Sequence, residues 1–422
     1  MNHPKGAICV HSSYYVSNRH RFYENMEEGS LLILFSGIEI RRSSDEFYPF
    51  SPDRNFVYLT GLSCKEAVFL AMKDGGAVSE RLYLLPPDRM AERWTGRRIT
   101  PMEAESASGI EDVRFAETFE SDMQGILSSG HYETAYLDCR KYAPQDISRL
   151  SHSFADGLTA RFPAVKVGDA SAVLRRLRLI KSPEEILALR QAEIKTNAGI
   201  QAMMRASRPG MWEYQYKAEF DRALGQFGPE GPGFPSIISA GNNNFCIHYY
   251  SYTGQAHDGD MVLNDVGAQH DWMITDVSRA WPCNGRFTEK QKLLYECALA
   301  TSDYMFSVIR PGMPMADVDA TIRRYNFERL KDAGVLKSFD EIGKLMWHGG
   351  SHHIGYDVHD AVERPEVLAP GMAFCVDVGI YHEEWGIGFR LEDNCLVTET
   401  GCENLSRDIP RTVYDIETIM RK

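Results

Sequence analysis

Residues 261 to 282 read MVLNDVGAQHDWMITDVSRAWP, two apolar runs joined by a polar stretch at Ala268-Gln269-His270-Asp271. That is a β-hairpin signature, and each arm carries a carboxylate, Asp265 in the first and Asp276 in the second. A charge inside an apolar strand is costly unless a partner neutralises it. Val262, Leu263, Val266, Ile274 and Val277 should bury the neighbourhood. Two carboxylates facing each other there repel unless a cation sits between them. The alternative is that both flank the turn and are solvated.

The theme returns twice further on. Residues 348 to 360 read HGGSHHIGYDVHD and hold four of the thirteen histidines. Three glycines argue against a helix, and the apolar alternation is too weak for a plain strand. Imidazole is the commonest transition-metal ligand and titrates near neutral pH. Residues 374 to 381 (FCVDVGIY) then form an apolar strand with one carboxylate, Asp377, and Glu392 opens another at 395 to 397 (CLV). Two aspartates, a histidine, a third aspartate and a glutamate suit a borderline-hard divalent ion. Five donors exceed what one tetrahedral zinc takes, so the set points to two metals, which in such sites lie roughly 3.5–4 Å apart.

Composition narrows the setting. A chain of 422 residues, 43% hydrophobic and 25% charged, is expected to form two domains of a globular protein. Its net charge of −13 (46 basic against 59 acidic side chains) argues against nucleic acid or an anionic membrane as partner. No apolar stretch approaches the roughly 20 residues that span a bilayer, and MNHPKGAICVHSSYY lacks the long apolar segment of a secretory signal. Nine cysteines without CxxC spacing read as reduced thiols of a cytoplasmic protein.

Along the chain, residues 31–35, 56–59, 67–71 and 82–85 are short apolar runs expected to be strands of an α/β domain. Residues 111 to 171 mix helical and strand patterns. Ser182-Pro183-Glu184-Glu185 marks a helix start, with Ser182 as cap, Pro183 at the first helical position and Glu185 completing a capping box. The domains are therefore expected to be 1–170 and 171–422. Arg208-Pro209-Gly210-Met211 recurs as Arg310-Pro311-Gly312-Met313, which fits a second domain built from two similar halves.

The order and spacing of these motifs resemble the aminopeptidase P and prolidase family of metallopeptidases, and within it the Xaa-Pro aminopeptidases. The match rests on Ser351-His352 followed by Asp357-Val358-His359-Asp360, and on Ile180-Lys181-Ser182-Pro183-Glu184-Glu185 at the start of the catalytic domain. Residues 21–37 (RFYENMEEGSLLILFSG), 56–61 (FVYLTG) and 92–96 (ERWTG) are similar to the family's N-terminal domain. The resemblance implies an α/β N-terminal domain followed by an α+β pita-bread catalytic domain with pseudo-two-fold halves.

It also assigns roles. Asp265, Asp276, His352, Asp377 and Glu392 match the metal ligands, with Asp276 and Glu392 as the bridging pair. His248, His359 and Asp377 match the catalytic positions, and His348, Tyr381 and Arg390 match positions that line the substrate pocket. The implied cofactor is two divalent ions, with manganese expected. The implied substrates are small peptides with proline second, cleaved before the proline by a homodimer or homotetramer. Asp377 would take a proton from the attacking water, while His248 and His359 stabilise the oxyanion.

One position departs from the family pattern: Asp377-Val378-Gly379 stands where glutamate, proline and glycine are usual. Aspartate is shorter by one C–C bond, ~1.5 Å, and Val378 lacks the φ constraint of proline. An Xaa-Pro dipeptidase, or a same-fold protein of weak or altered activity, is the alternative. A metal-free hydrolase on this fold is disfavoured, because it has no need of buried carboxylates.

Overall fold

A computed structural model describes residues 11–421. The start of the N-terminal stretch discussed above, residues 1–10, lies outside them. The chain divides into two compact units, with the boundary between Leu177 and Arg178, a few residues beyond the expected 170.

The first unit is an α/β domain. Its strands are β1 (Ser30–Phe35), β2 (Val68–Asp74), β3 (Ala77–Leu84), β4 (Val113–Phe115), β5 (Thr134–Leu137) and β6 (Lys166–Asp169), in the order β4-β3-β2-β1-β5-β6. The β1-β2-β3 meander is antiparallel, and β4, β5 and β6 add in parallel at the two sides. Helices α1 (Ser12–Tyr23), α2 (Arg54–Thr60), α3 (Arg89–Thr95), α4 (Pro101–Ser108), α5 (Phe119–Ser128) and α6 (Leu150–Arg161) alternate with the strands, and α7 (Ala170–Leu179) leads out of the unit. Leu31, Ile33, Leu70 and Tyr83 of the sheet pack on Phe119, Met123, Leu127 and Leu158 of α5 and α6.

Residues 56–59, expected as a strand, are helical in α2. An unbroken apolar run suits a buried helix as well as a buried strand, and here the ends decide. Asp53 Oδ1 accepts from the backbone N–H groups of Asn55 and Phe56 at 2.9 and 3.2 Å, and Gly61 closes the helix at φ 71°.

The second unit carries α8 (Pro183–Ala206), α9 (Glu213–Leu224), β7 (Ile237–Ala240), β8 (Met261–Val266), β9 (Gln269–His270), β10 (Met273–Ile274), β11 (Val277–Pro282), α10 (Glu289–Val308), α11 (Met315–Asp332), β12 (Ala373–His382), β13 (Ile387–Val397), β14 (Cys402–Asn404) and α12 (Val413–Ile419). Ser182 and Glu185 form the capping box of α8. The expected hairpin is present: β8 pairs antiparallel with β11, and β9 and β10 form its tip around Asp271 and Trp272.

The two halves are the same unit used twice. Arg208–Met211 joins α8 to α9, and Arg310–Met313 joins α10 to α11. Gly210 and Gly312 take φ 84° and 83°, a left-handed turn that favours glycine. Each glycine N–H then reaches a matching carbonyl, Gly210 to Ala256 at 2.7 Å and Gly312 to Leu368 at 2.8 Å. Five residues after those carbonyls come β8 and β12, and Asp265 and Asp377 are the fifth residue of each. Sheets β11-β8-β7 and β12-β13-β14 meet where β11 packs beside β13. The acidic residues of both halves converge at that seam.

Candidate metal centre

On β12 and β13, Asp377 and Glu392 are directly paired in the antiparallel register. Asp276 lies just before β11, and its N–H and C=O are both bound by the Asn394 side chain, two residues beyond Glu392. The histidine-rich segment runs beside β12 without forming a regular strand. Backbone bonds from Asp377 N to Gly350 O (2.8 Å) and from Cys375 N to His352 O (2.9 Å) pin it there. A Cβ at Gly350 would lie 2.9 Å from the Asp377 carbonyl oxygen and 2.7 Å from Ile322 Cδ1, so glycine permits this approach.

His352 is thereby brought to the carboxylates. Its Nε2 is 3.3 Å from Asp276 Oδ2 and 3.7 Å from Glu392 Oε1. Donor atoms of Asp265, Asp276 and Glu392 lie within 4.8 Å of one another, as do those of Asp276, His352 and His359, and of His352, Cys375 and Glu392. Four of the five expected ligands thus form one connected cluster. Asp377 faces it but turns Oδ2 to His348 Nδ1 at 3.3 Å.

The electrostatics of this cluster favour a cation. Burial first, and then Glu392 and Asp265, push the Asp276 carboxyl well above its ordinary range. Burial, Asp377 and Asp265 do the same to Glu392, and Asp377 is raised mainly by burial. Burial and the neighbouring His359 bring His352 down to about 4, so its imidazole is neutral and able to ligate. One oxygen each of Asp265, Asp276 and Asp377 is buried without a hydrogen-bond partner. Acceptors stranded in this way, beside a neutral imidazole, fit divalent cations.

A second group rims the cluster. Arg390, buried on β13, donates from Nη2 to Asp265 Oδ2 at 2.8 Å and from Nη1 to the Tyr381 hydroxyl at 3.0 Å. That hydroxyl is 3.0 Å from His348 Nε2, and the Tyr381 ring stacks on Trp347 at 4.6 Å. His359 is exposed at its outer edge, with its ring 4.1 Å from that of His352; partial desolvation on that inner side and the nearby His248 lower its pKa. His248 is exposed beside Tyr250. Cys375, Trp347, Ser278 and Asn394 were not anticipated. Ser278 Oγ donates to Glu392 Oε2 at 2.7 Å. The pairing of Ser278 with Asp265 across the hairpin could have flagged it.

The fold and this centre define a pita-bread metallohydrolase preceded by an aminopeptidase P-type N-terminal domain. Residues 188–399 match metallopeptidase family M24, and residues 15–136 match the aminopeptidase P N-terminal domain. The chain belongs to metallopeptidase family M24. It is 31% identical to the Xaa-Pro aminopeptidase of Escherichia coli K12 over 95% of this chain and 96% of that one. It is 30% identical to Xaa-Pro aminopeptidase 3 of Rattus norvegicus, over 89% and 78% of the two chains. Among solved structures, aminopeptidase P from E. coli with the inhibitor Pro-Leu superposes with a TM-score of 0.89 at 29% identity, covering 97% and 98%. The zinc-substituted E. coli enzyme in complex with product gives 0.89 at 28% identity, covering 98% and 99%.

Proposed function

We infer that this chain is a metal-dependent Xaa-Pro aminopeptidase, releasing the N-terminal residue from peptides whose second residue is proline. The observation that carries the chemistry is the set of partnerless buried oxygens on Asp265, Asp276 and Asp377 beside the neutral His352. Similarity to Xaa-Pro aminopeptidases along nearly the whole chain supports the substrate class.

Asp265, Asp276, His352, Asp377 and Glu392 would hold two divalent ions, with manganese the metal we propose. Such ions make a water nucleophilic near neutral pH and polarise the scissile carbonyl. Asp377 Oδ1, without a hydrogen-bond partner, accepts the proton of the attacking water, while Oδ2, 3.3 Å from His348 Nδ1, is the oxygen that would serve as ligand. Arg390 fixes Asp265 and, through Tyr381, the far side of His348. His248 and His359, at the exposed edge, donate to the developing oxyanion. His348 is the pocket-facing member of its group, and the buried Tyr381 and Arg390 stand behind it and hold it in place rather than touching substrate.

Among the described residues no helix is long and apolar enough to cross a membrane. The eight described cysteines are free thiols, which supports the reduced setting of a cytoplasmic enzyme. A homodimer or homotetramer is the assembly the family resemblance implies. The function is tested by incubating the manganese-loaded protein with Xaa-Pro-Yaa tripeptides and Xaa-Pro dipeptides. Release of the first residue from the tripeptides is expected. Cleavage of dipeptides alone would make the chain an Xaa-Pro dipeptidase.

A further inference from the structure

Asp276 sits in the gap between β10 and β11, where the β8–β11 ladder has not yet begun. Its main-chain groups are met by one side chain. Asn394 Oδ1 accepts from the Asp276 N–H at 3.0 Å, and Asn394 Nδ2 donates to the Asp276 C=O. A primary amide offers a donor and an acceptor on one short planar group, and unlike a carboxyl or an imidazole it does so in a single protonation state. The two bonds fix which end of the amide is which.

The other side of Asn394 is equally constrained. Its N–H donates to Ser406 Oγ at 2.9 Å, its C=O accepts from Leu405 N at 2.8 Å, and Ser406 Oγ donates to Glu193 Oε1 at 2.9 Å. Asn394 and Ser406 are both fully buried. Asn394 also shares a face of β13 with Glu392, two residues away. The strand that supplies Glu392 therefore also holds the peptide that supplies Asp276.

We propose that Asn394 is a positioning residue that sets the separation of Asp276 and Glu392 and so makes the second metal site. The inference rests on the metallopeptidase reading. Groups that orient ligands typically change metal affinity by about 10–100-fold when removed. Asp276 without the clamp keeps its carboxylate but loses its fixed backbone, so the loss falls on the second ion, whose binding would require Asp276 and Glu392 to serve two cations at once.

Manganese titration, followed by calorimetry and by low-temperature electron paramagnetic resonance, tests this on the full chain. Wild type is expected to take two ions and to show the signal of a spin-coupled pair. Asn394→Ala should bind the first ion normally and the second about 10–100-fold more weakly, with the six-line signal of isolated ions at two equivalents. Asn394→Ser, which keeps one hydrogen-bonding group, should fall between them, and it decides the matter alone if Asn394→Ala does not fold. Thr301→Val removes a buried hydrogen bond between α10 and α11 and should retain the coupled pair, separating lost positioning from lost stability. Wild-type affinity and coupling in the Asn394 variants overturns the clamp alone. A wild-type chain that binds no manganese overturns the metallopeptidase reading with it.

Discussion

Asp377 Oδ2 lies 3.3 Å from His348 Nδ1, although the Asp377 backbone is paired with Glu392 and its side chain faces the acidic cluster. The shorter acid thus lies beside the imidazole at the edge of the cluster, whose Nδ1 is itself 2.8 Å from the Gly349 carbonyl oxygen. Asp377→Glu restores the methylene and carries the carboxyl toward Glu392 and Asp265. General-base groups contribute roughly 10²–10⁴-fold, and recovering part of that should raise kcat on an Xaa-Pro tripeptide by about tenfold with metal content unchanged. Steady-state kinetics with elemental analysis checks it. A fall in both rate and metal content would mean that the strand is fitted to aspartate and that glutamate overpacks it.

The histidine-rich segment is anchored by a buried ion cluster. Asp360 Oδ2 accepts from Lys181 Nζ at 2.7 Å and its Oδ1 from Arg178, while Arg178 also donates to Asp357 Oδ2 at 2.8 Å. Burial raises the Asp360 pKa, but Arg178 and Lys181 outweigh it and hold the carboxyl down to about 2. Its stabilising effect is thus complete above the unfolded value near 3.8 and is lost as pH falls toward 2. Asp360→Ala strands the buried Lys181 ammonium and leaves Arg178 with Asp357 at the half-exposed edge, and should cost about 3–5 kcal/mol in urea unfolding at pH 7. The deficit should narrow at pH 3. A loss below about 1 kcal/mol, the scale of an exposed pair, would show the cluster to be solvated.

Glu193 titrates in the opposite sense. Burial, opposed by its Ser406 hydrogen bond and increased by Asp393, lifts its carboxyl from 4.5 to about 8. The unfolded chain therefore releases this proton earlier than the folded one, and stability declines as pH rises from about 4.5 through 8. Glu193→Gln removes the dependence. Thermal melts at pH 6 and pH 9 should show wild type losing the larger share of its stability, with the variant flatter by an amount on the order of a few kcal/mol. Parallel curves would place a charged Glu193 in the fold at both pH values.

Much of the site was legible because its cost is visible in one dimension. Asp265 and Asp276 interrupt apolar strand arms, and a carboxylate there requires a partner whatever the tertiary fold. The capping box at Ser182 and Glu185 and the repeated Arg-Pro-Gly-Met are local codes, and they fixed α8 and the duplicated turns. The run at 56–59 was misread because its end signals, Asp53 and Gly61, decide between strand and helix, and the apolar pattern does not. Asn394 and Cys375 carry no pattern of their own. A polar residue within a strand gains meaning only once the register sets it beside Asp276 or His352. The turn of Asp377 toward His348 likewise depends on how Gly350 lets the histidine segment lie against β12.

Elemental analysis of the protein after reconstitution with manganese and removal of free metal tests the metal centre most directly. Two ions per wild-type chain are expected, with loss in Asp276→Ala and Glu392→Ala, whose remaining carboxylates are left to repel one another. A folded wild-type chain that retains no divalent ion would contradict a metal-dependent peptidase.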